Sequence, residues 1–208
     1  NRYFLNSFIV STIVTIGNVI FCFGVAYTLA RWKSKLSDIM MLTIISVLMI
    51  PAHVIMIPLY RLMVSFSWID TYKALIIPWL ITPFGIFLVK QYIEKIPVEI
   101  ENAARIDGAN NFQILSKIVF PISRPILTVL AIYTFLGNWN VFLFPFLFTN
   151  SEDMRTLPVG LTFYLGKQSI DWGHLMAGAS ISALPIIVLY LLFRKKIIRG
   201  LIAGSLKG

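Results

Sequence analysis

The residues with the clearest chemical potential are a tryptophan between two amides, Asn138, Trp139 and Asn140. An indole ring offers a sugar an apolar face for stacking, and the amides offer donors and acceptors for its hydroxyl groups. We therefore regard this triplet as a candidate substrate contact. Two other interpretations stand beside it: Trp139 can anchor the chain at a membrane interface, and Asn140 can hydrogen-bond between helices.

His53 is a second candidate, since it lies beside Pro51 within an apolar run. Polar groups at membrane depth usually face a cavity or another helix, so His53 is either a pathway residue or a packing residue. The single cysteine, Cys22, excludes an internal disulfide and a cysteine-based metal site. It lies in an apolar run, and we expect it to be a packing residue.

The remaining pattern argues against catalysis by this chain. The sequence contains no Gly-x-x-x-x-Gly-Lys-Ser/Thr phosphate-binding loop and no His-Glu-x-x-His pair. Its few acidic residues fall in loops and do not gather in one core. We therefore expect no enzymatic activity, no metal site and no cofactor bound by this chain.

Long apolar runs must position these residues. Of the 208 residues, 58% are hydrophobic and 13% are charged, whereas soluble domains carry about 25% charged residues. Five runs are long enough to predict membrane-spanning helices of about 20 residues. They cover about residues 4–30, 39–60, 73–92, 124–149 and 173–194. The expected fold is an all-α, polytopic membrane helical bundle, with an earlier helix preceding Asn1.

The positions of the basic residues predict an orientation, because short cytoplasmic loops are enriched in lysine and arginine. If the chain starts outside, all but five of its 18 basic residues lie inside; these five are Arg2, Arg61, Lys73, Arg155 and Lys167. The prediction is a multi-pass protein of the bacterial cytoplasmic (inner) membrane with a cytoplasmic carboxyl terminus.

The stretch between the third and fourth predicted spans has the composition of a surface helix. Pro97 suits the first turn, and Glu99 and Glu101 suit the positive end of the helix dipole. Glu101 and Arg105 are spaced as an i,i+4 pair. The expected apolar face consists of Ile96, Ile100, Ala103 and Ala104.

A turn and a second amphipathic segment follow this helix. Gly108 permits a turn without a side-chain clash. The second segment runs from Asn110 to Phe120, and we expect Pro121 and Pro125 to end it. The pattern predicts a helix–turn–helix over residues 96–120 on the cytoplasmic surface, presenting a small knob to a soluble partner.

This loop resembles the cytoplasmic loop of type I ABC importer permeases, whose pattern is Glu-Ala-Ala-x-x-Asp-Gly-Ala, a spacer and Ile-x-Leu-Pro. The matching positions are Asn102, Ala103, Ala104, Asp107, Gly108, Ala109, Ile118, Phe120 and Pro121. Asn102 stands where the family has Glu, and Phe120 stands where it has Leu. Further motifs are similar to the maltose-type, carbohydrate-uptake branch; they lie at 57–60, 70–72, 139–140 with Pro145, 156–161, 183–185 and 200–208.

The resemblance implies that residues 1–208 are an ABC transporter transmembrane domain importing a mono- or oligosaccharide. Related substrates stay open, namely a polyol, a uronate oligomer or glycerol phosphate. The implied partners are a second homologous permease, giving a heterodimer, two ATPase subunits that bind ATP and Mg, and an extracytoplasmic solute-binding protein. No nucleic acid is expected.

The resemblance also implies which residues contact the ATPase. In the loop they are Glu99, Glu101, Asn102, Ala103, Ala104, Arg105, Asp107, Gly108 and Ala109. In the tail, residues 200–208, they are Gly204, Lys207 and Gly208. A secondary transporter is the main rival interpretation, but it usually places charged residues at mid-membrane. The predicted spans hold none there.

Overall fold

The computed structural model describes residues 2–166 and 170–205, with the side chains of 194–205 excluded. All regular structure in this part is helical, which confirms the all-α class. The α-helices are α1 (Arg2–Arg31), α2 (Lys35–Leu48), α3 (Met56–Ser65), α4 (Tyr72–Ile76), α5 (Pro83–Ile93), α6 (Val98–Ile106), α7 (Asn111–Ile114), α8 (Phe120–Asn140), α9 (Leu143–Phe148), α10 (Leu157–Thr162) and α11 (Trp172–Ser205).

Four helical segments in the described part are long and apolar enough to cross a membrane. They are Arg2–Arg31, Tyr72–Ile93, Asn111–Asn140 and Trp172–Phe193. Three of them agree closely with predicted spans, whereas the span expected at 124–149 begins earlier and its helix ends at Asn140. A polytopic helical membrane protein is therefore confirmed.

The segment expected to span at 39–60 is not one helix. Helix α2 ends at Leu48 and α3 begins at Met56, with turns between them. Pro51 lies in this break, and a proline has no backbone N–H with which to continue a helical ladder. The expectation of one continuous helix at 39–60 is wrong, while the number of membrane crossings stays a prediction.

The prolines after the second amphipathic segment do not end it. Pro121 and Pro125 both lie within α8. A π-helical stretch, Leu115–Val119, joins α7 to α8, and the Phe120 N–H donates to the carbonyl of Leu115. This wider turn directly precedes Pro121, whose ring would clash with the carbonyl four residues back in a regular α-helix. The expected termination is therefore wrong.

The chain divides into two compact units. The first unit contains 1–14, 55–78 and 132–208, and the second contains 15–54 and 79–131. In the second unit, Cys22, Val89 and Ile114 are fully buried in one apolar cluster. Phe23 packs edge-on against Phe120 at a centroid distance of 5.4 Å. Cys22 is thus a packing residue, as expected.

Candidate functional site

The predicted knob exists as α6, a tight turn and α7. Asp107 is the C-cap of α6, and Gly108 has a φ of +85°. The Ala109 N–H donates to the Ala104 carbonyl at 2.9 Å, and the Gly108 N–H donates to the Arg105 carbonyl at 3.1 Å. This is the Schellman arrangement that usually requires glycine. The predicted role of Gly108 in the turn is confirmed, and its cause is conformational, because a Cβ there would meet no atom within 4 Å.

Helix α7 begins with a capping box. The Asn110 side chain accepts from the Gln113 N–H, and the Gln113 side chain accepts from the Asn110 N–H, both at 2.9 Å. These reciprocal bonds satisfy two backbone donors that a helix start otherwise leaves free. The second segment therefore begins at Asn110, as predicted.

The turn presents two large apolar side chains to the surroundings. Ile106 is 88% exposed and Phe112 is 75% exposed. Exposed residues around them are polar or small: Asn102, Ala103, Arg105, Asp107 and Gly108. We call these seven residues the coupling surface. Sequence reasoning did not select Ile106 or Phe112, although two bulky apolar residues flanking a glycine turn were the available signal.

Glu101 does not belong to that surface. Its side chain is 1% exposed and accepts from Arg31 Nε at 2.6 Å and from the Tyr27 hydroxyl at 2.9 Å. A second Arg31 nitrogen donates to the Ile96 carbonyl at 3.1 Å. The expected Glu101–Arg105 pair is wrong, because the Glu101 carboxylate turns toward α1.

The other expected loop residues divide between the core and the surface. Arg105 donates to the Asn102 side-chain oxygen at 3.2 Å, so Asn102 does hydrogen-bond at the position where the family has Glu. The expected apolar face is only partly correct: Ile96 is buried, whereas Ile100 and Ala103 are exposed. Glu99 is exposed, and Ala104 and Ala109 are half-buried. Their contacts with a partner stay predictions.

Trp139 is packed inside the first unit. It is 1% exposed, and its Nε1 donates to the Ser182 carbonyl at 3.0 Å. Its ring lies near Phe135 and Phe4, at centroid distances of 5.8 Å and 5.4 Å. This bond joins α8 to α11, whereas the bond between helices was expected for Asn140, whose amide donates within α8. Substrate stacking on Trp139 stays a prediction that requires this ring to be uncovered.

The other pathway candidates are also placed by the structure. The Asn138 and Asn140 side chains donate to carbonyls one turn back, those of Thr134 and Leu136. His53 is exposed in the turn between α2 and α3, and so does not lie inside a spanning helix. Their roles toward a substrate stay predictions.

A polar cluster in the first unit was missed by sequence reasoning. The Asn6 side chain is fully buried and donates to the carbonyls of Asp153 and Arg155 at 2.7 and 2.9 Å. Its oxygen accepts from the Tyr72 hydroxyl at 2.7 Å. A buried amide with three bonds fixes the segment after α9 against α1. Isolated polar residues within apolar runs were the only available signal.

Asp70 also binds the segment after α9. Its carboxylate accepts from the N–H groups of Asn150 and Ser151 at 2.9 and 3.0 Å, and its φ is +62°. Partial burial raises the pKa of Asp70, but the hydrogen bonds from Ser151 and Asn150 outweigh it, and the pKa lies below its ordinary value of 3.8. Asp70 therefore stabilises this segment as an ionised group.

The predictions for the tail and for metal binding can be compared with the structure only in part. Gly204 lies in the last turns of α11, whereas Lys207 and Gly208 lie outside the described residues. Within the described part, no three His, Cys, Asp or Glu side chains converge as a metal site.

Comparison with known proteins gives a consistent result. The family described as "Binding-protein-dependent transport system inner membrane component" matches residues 19–202. The arabinooligosaccharides transport system permease protein AraQ of Halalkalibacterium halodurans is 35% identical over 206 residues, covering 99% of this chain and 74% of that protein. The trehalose/maltose transport system permease protein MalG of Thermococcus litoralis is 33% identical over 209 residues, covering 99% and 75%.

A solved structure shows the fold independently. It is a crystal structure of a bacterial ABC transporter involved in the import of the acidic polysaccharide alginate. The TM-score is 0.83 at 24% identity, covering 93% of this chain and 74% of that chain. The predicted type I importer fold is therefore confirmed.

Proposed function

Because this chain belongs to the family of binding-protein-dependent transport system inner membrane components, we propose that it forms the membrane pathway for a mono- or oligosaccharide. An extracytoplasmic binding protein delivers the substrate. The proposal is supported by relatives named for arabinooligosaccharide and trehalose/maltose transport, which match almost the whole chain.

The observation that carries the mechanism is the exposure of Ile106 and Phe112 on the coupling surface. Two large apolar side chains on one tight turn suit a hydrophobic recess on a soluble partner. That partner is a separate ATPase subunit, which binds ATP and Mg. This chain supplies no group to the hydrolysis.

The buried ion pair gives the coupling surface a mechanical connection to the membrane. Glu101 is on α6, and Arg31 and Tyr27 are on the last turns of the spanning helix α1. Breaking one partner of a buried pair costs about 3–5 kcal/mol. Because separating the pair is costly, a movement imposed on α6 also moves α1.

The transport cycle then follows from alternating access. ATP binding closes two ATPase subunits, which carry α6 and α1 with them, and the pathway opens toward the binding protein. Hydrolysis resets the pathway inward. A second homologous permease completes the pathway, the carboxyl terminus is cytoplasmic, and Gly204, Lys207 and Gly208 contact the ATPase pair.

Reconstitution in proteoliposomes tests this proposal. The chain is co-expressed with its neighbouring permease, ATPase and binding protein, and uptake of labelled sugars, including arabino- and malto-oligosaccharides, is measured with and without ATP. ATP-dependent sugar uptake that requires the binding protein supports it. Uptake driven by an ion gradient without the ATPase would favour a secondary transporter, and uptake of glycerol phosphate alone would overturn the sugar assignment.

A further inference from the structure

A polar cleft of about 770 Å³ lies in the second unit. It is lined by the end of α1, the segment leading into α2, the end of α5 and the start of α6. Two candidate spans, Arg2–Arg31 and Tyr72–Ile93, end at this cleft. Because these spans cover the hydrocarbon depth, the cleft lies at the level of lipid headgroups. The exposed Trp32 in its lining is typical of that interface.

Some of the charged side chains that line the cleft are paired with a partner, and others are not. Arg31 is engaged by Glu101, and Lys90 is paired with Glu94 at 2.6 Å. Three further lysines line the cleft, Lys33, Lys35 and Lys95. Within the described part of the chain, the side-chain ammonium groups of these three lysines form no hydrogen bond or ion pair. A cleft with three uncommitted ammonium groups suits a phosphate anion.

The other groups that line the cleft restrict the chemical class of the ligand further. Asp38 and Glu99 also line the cleft, and their carboxylates accept hydrogen bonds. On α2, which leads away from the cleft, Ile39 and Leu42 are strongly exposed apolar side chains. The three groups match the parts of one lipid. The lysines suit its phosphate, the carboxylates suit hydroxyl groups on its headgroup, and the exposed apolar side chains of α2 suit its acyl chains.

We propose that this cleft binds the headgroup of an anionic phospholipid of the phosphatidylglycerol type. The phosphodiester lies among Lys33, Lys35 and Lys95, and the glycerol hydroxyls donate to Asp38 and Glu99. The acyl chains lie along the exposed apolar side chains of α2. This site is separate from the coupling surface and does not depend on the transported substrate.

Lipid binding to the purified, delipidated transporter complex tests the site. Phosphatidylglycerol, phosphatidylethanolamine and phosphatidylcholine with the same acyl chains are titrated, and bound lipid is counted by native mass spectrometry. Of the three lipids, we expect only phosphatidylglycerol to bind tightly. The Lys33→Gln/Lys35→Gln/Lys95→Gln variant should weaken it about 100-fold, since each lysine contributes about fivefold at a lipid surface. The matched control, Arg61→Gln/Lys73→Gln/Lys117→Gln, removes the same charge elsewhere and should change binding less than threefold.

A triple Lys→Arg variant at 33, 35 and 95 keeps the charge and should retain binding, which separates charge loss from misfolding. Equal affinity for phosphatidylglycerol and phosphatidylcholine would overturn the proposal. So would unchanged binding by the glutamine variant. Displacement of the bound lipid by equimolar inorganic phosphate would overturn it by showing a free-anion site. If the glutamine variant lost the ATPase subunit but kept its lipid, the cleft would be a protein contact, which would also overturn the proposal.

Discussion

Arg31 Nε lies 2.6 Å from the Glu101 carboxylate, and this contact joins residues 70 positions apart in the sequence. Glu101 sits on the first turns of α6 with its side chain withdrawn from the surroundings, and Arg31 is the last residue of α1. The same helix that presents the coupling surface is therefore fastened to a spanning helix by a hydrogen-bonded ion pair.

Removing that fastening should uncouple transport. Glu101→Gln leaves Arg31 without its charged partner, and we expect a stability loss of about 3 kcal/mol. ATPase activity should respond less to loaded binding protein, and uptake should fall about tenfold, a factor within the range of ordinary coupling free energies between two sites. Uptake, ATPase stimulation and thermal midpoint are measured together. Asp153→Asn, which neutralises an exposed carboxyl group outside α6, serves as control, and wild-type uptake by Glu101→Gln would contradict the connection.

Truncating the exposed apolar side chains should weaken assembly. Ile106→Ser and Phe112→Ser each remove an apolar anchor, and each is expected to lower affinity for the ATPase subunit about 30-fold, in the range of interface hot spots. Both variants should insert and fold normally, because neither side chain contributes to the core. Ile100→Ser, on the same helix but outside the coupling surface, should have little effect. The readout is the amount of ATPase subunit that co-purifies.

Gly108 should be required for the shape of the turn. Its φ of +85° disfavours any residue with a Cβ, and a β-branched one most. Gly108→Val should cost about 1 kcal/mol, leave membrane levels normal and abolish stimulation of the ATPase. Gly108→Asn, which tolerates this conformation, should retain more transport. Loss of the Val protein from the membrane would make Gly108 a folding residue, and normal uptake would remove the turn from the mechanism.

Trp139→Phe separates packing from substrate contact. The variant keeps an aromatic ring between Phe135 and Phe4 but loses the bond from Nε1 to the Ser182 carbonyl. We expect a lower thermal midpoint, equivalent to about 1 kcal/mol, and an unchanged KM for uptake. A raised KM with an unchanged midpoint would instead place Trp139 at the substrate.

Asp70 should make the first unit sensitive to acid. Since its pKa is lowered in the folded protein, its contribution is complete above the ordinary value of 3.8 and is lost as pH falls through the lower folded value. In thermal melts between pH 2.5 and 7, Asp70→Asn should therefore lose stability relative to wild type at neutral pH and converge with it at the acid end. Asn also tolerates the positive φ, so backbone strain does not confuse the comparison. Parallel curves would contradict the assignment.

The sequence alone determined the membrane class, the helical fold and the knob at residues 96–120. Those features depend on local patterns: the length of apolar runs, the amphipathic spacing within residues 96–120 and the glycine at position 108. Such patterns act over a few residues, so they can be read without knowing the neighbours of each side chain. The family motifs in the same loop pointed to the same conclusion.

Only the tertiary structure decided which groups face each other. The sequence offered Arg105 as the partner of Glu101 because it is one turn away, but burial made a bond from distant Arg31 more favourable. The sequence suggested that the Trp139 ring could stack on a substrate, whereas in the structure Phe4, Phe135 and Ser182 contact it. Partners from remote segments leave no periodic signal, because a contact across the fold depends on how helices pack and not on the spacing of residues along one of them.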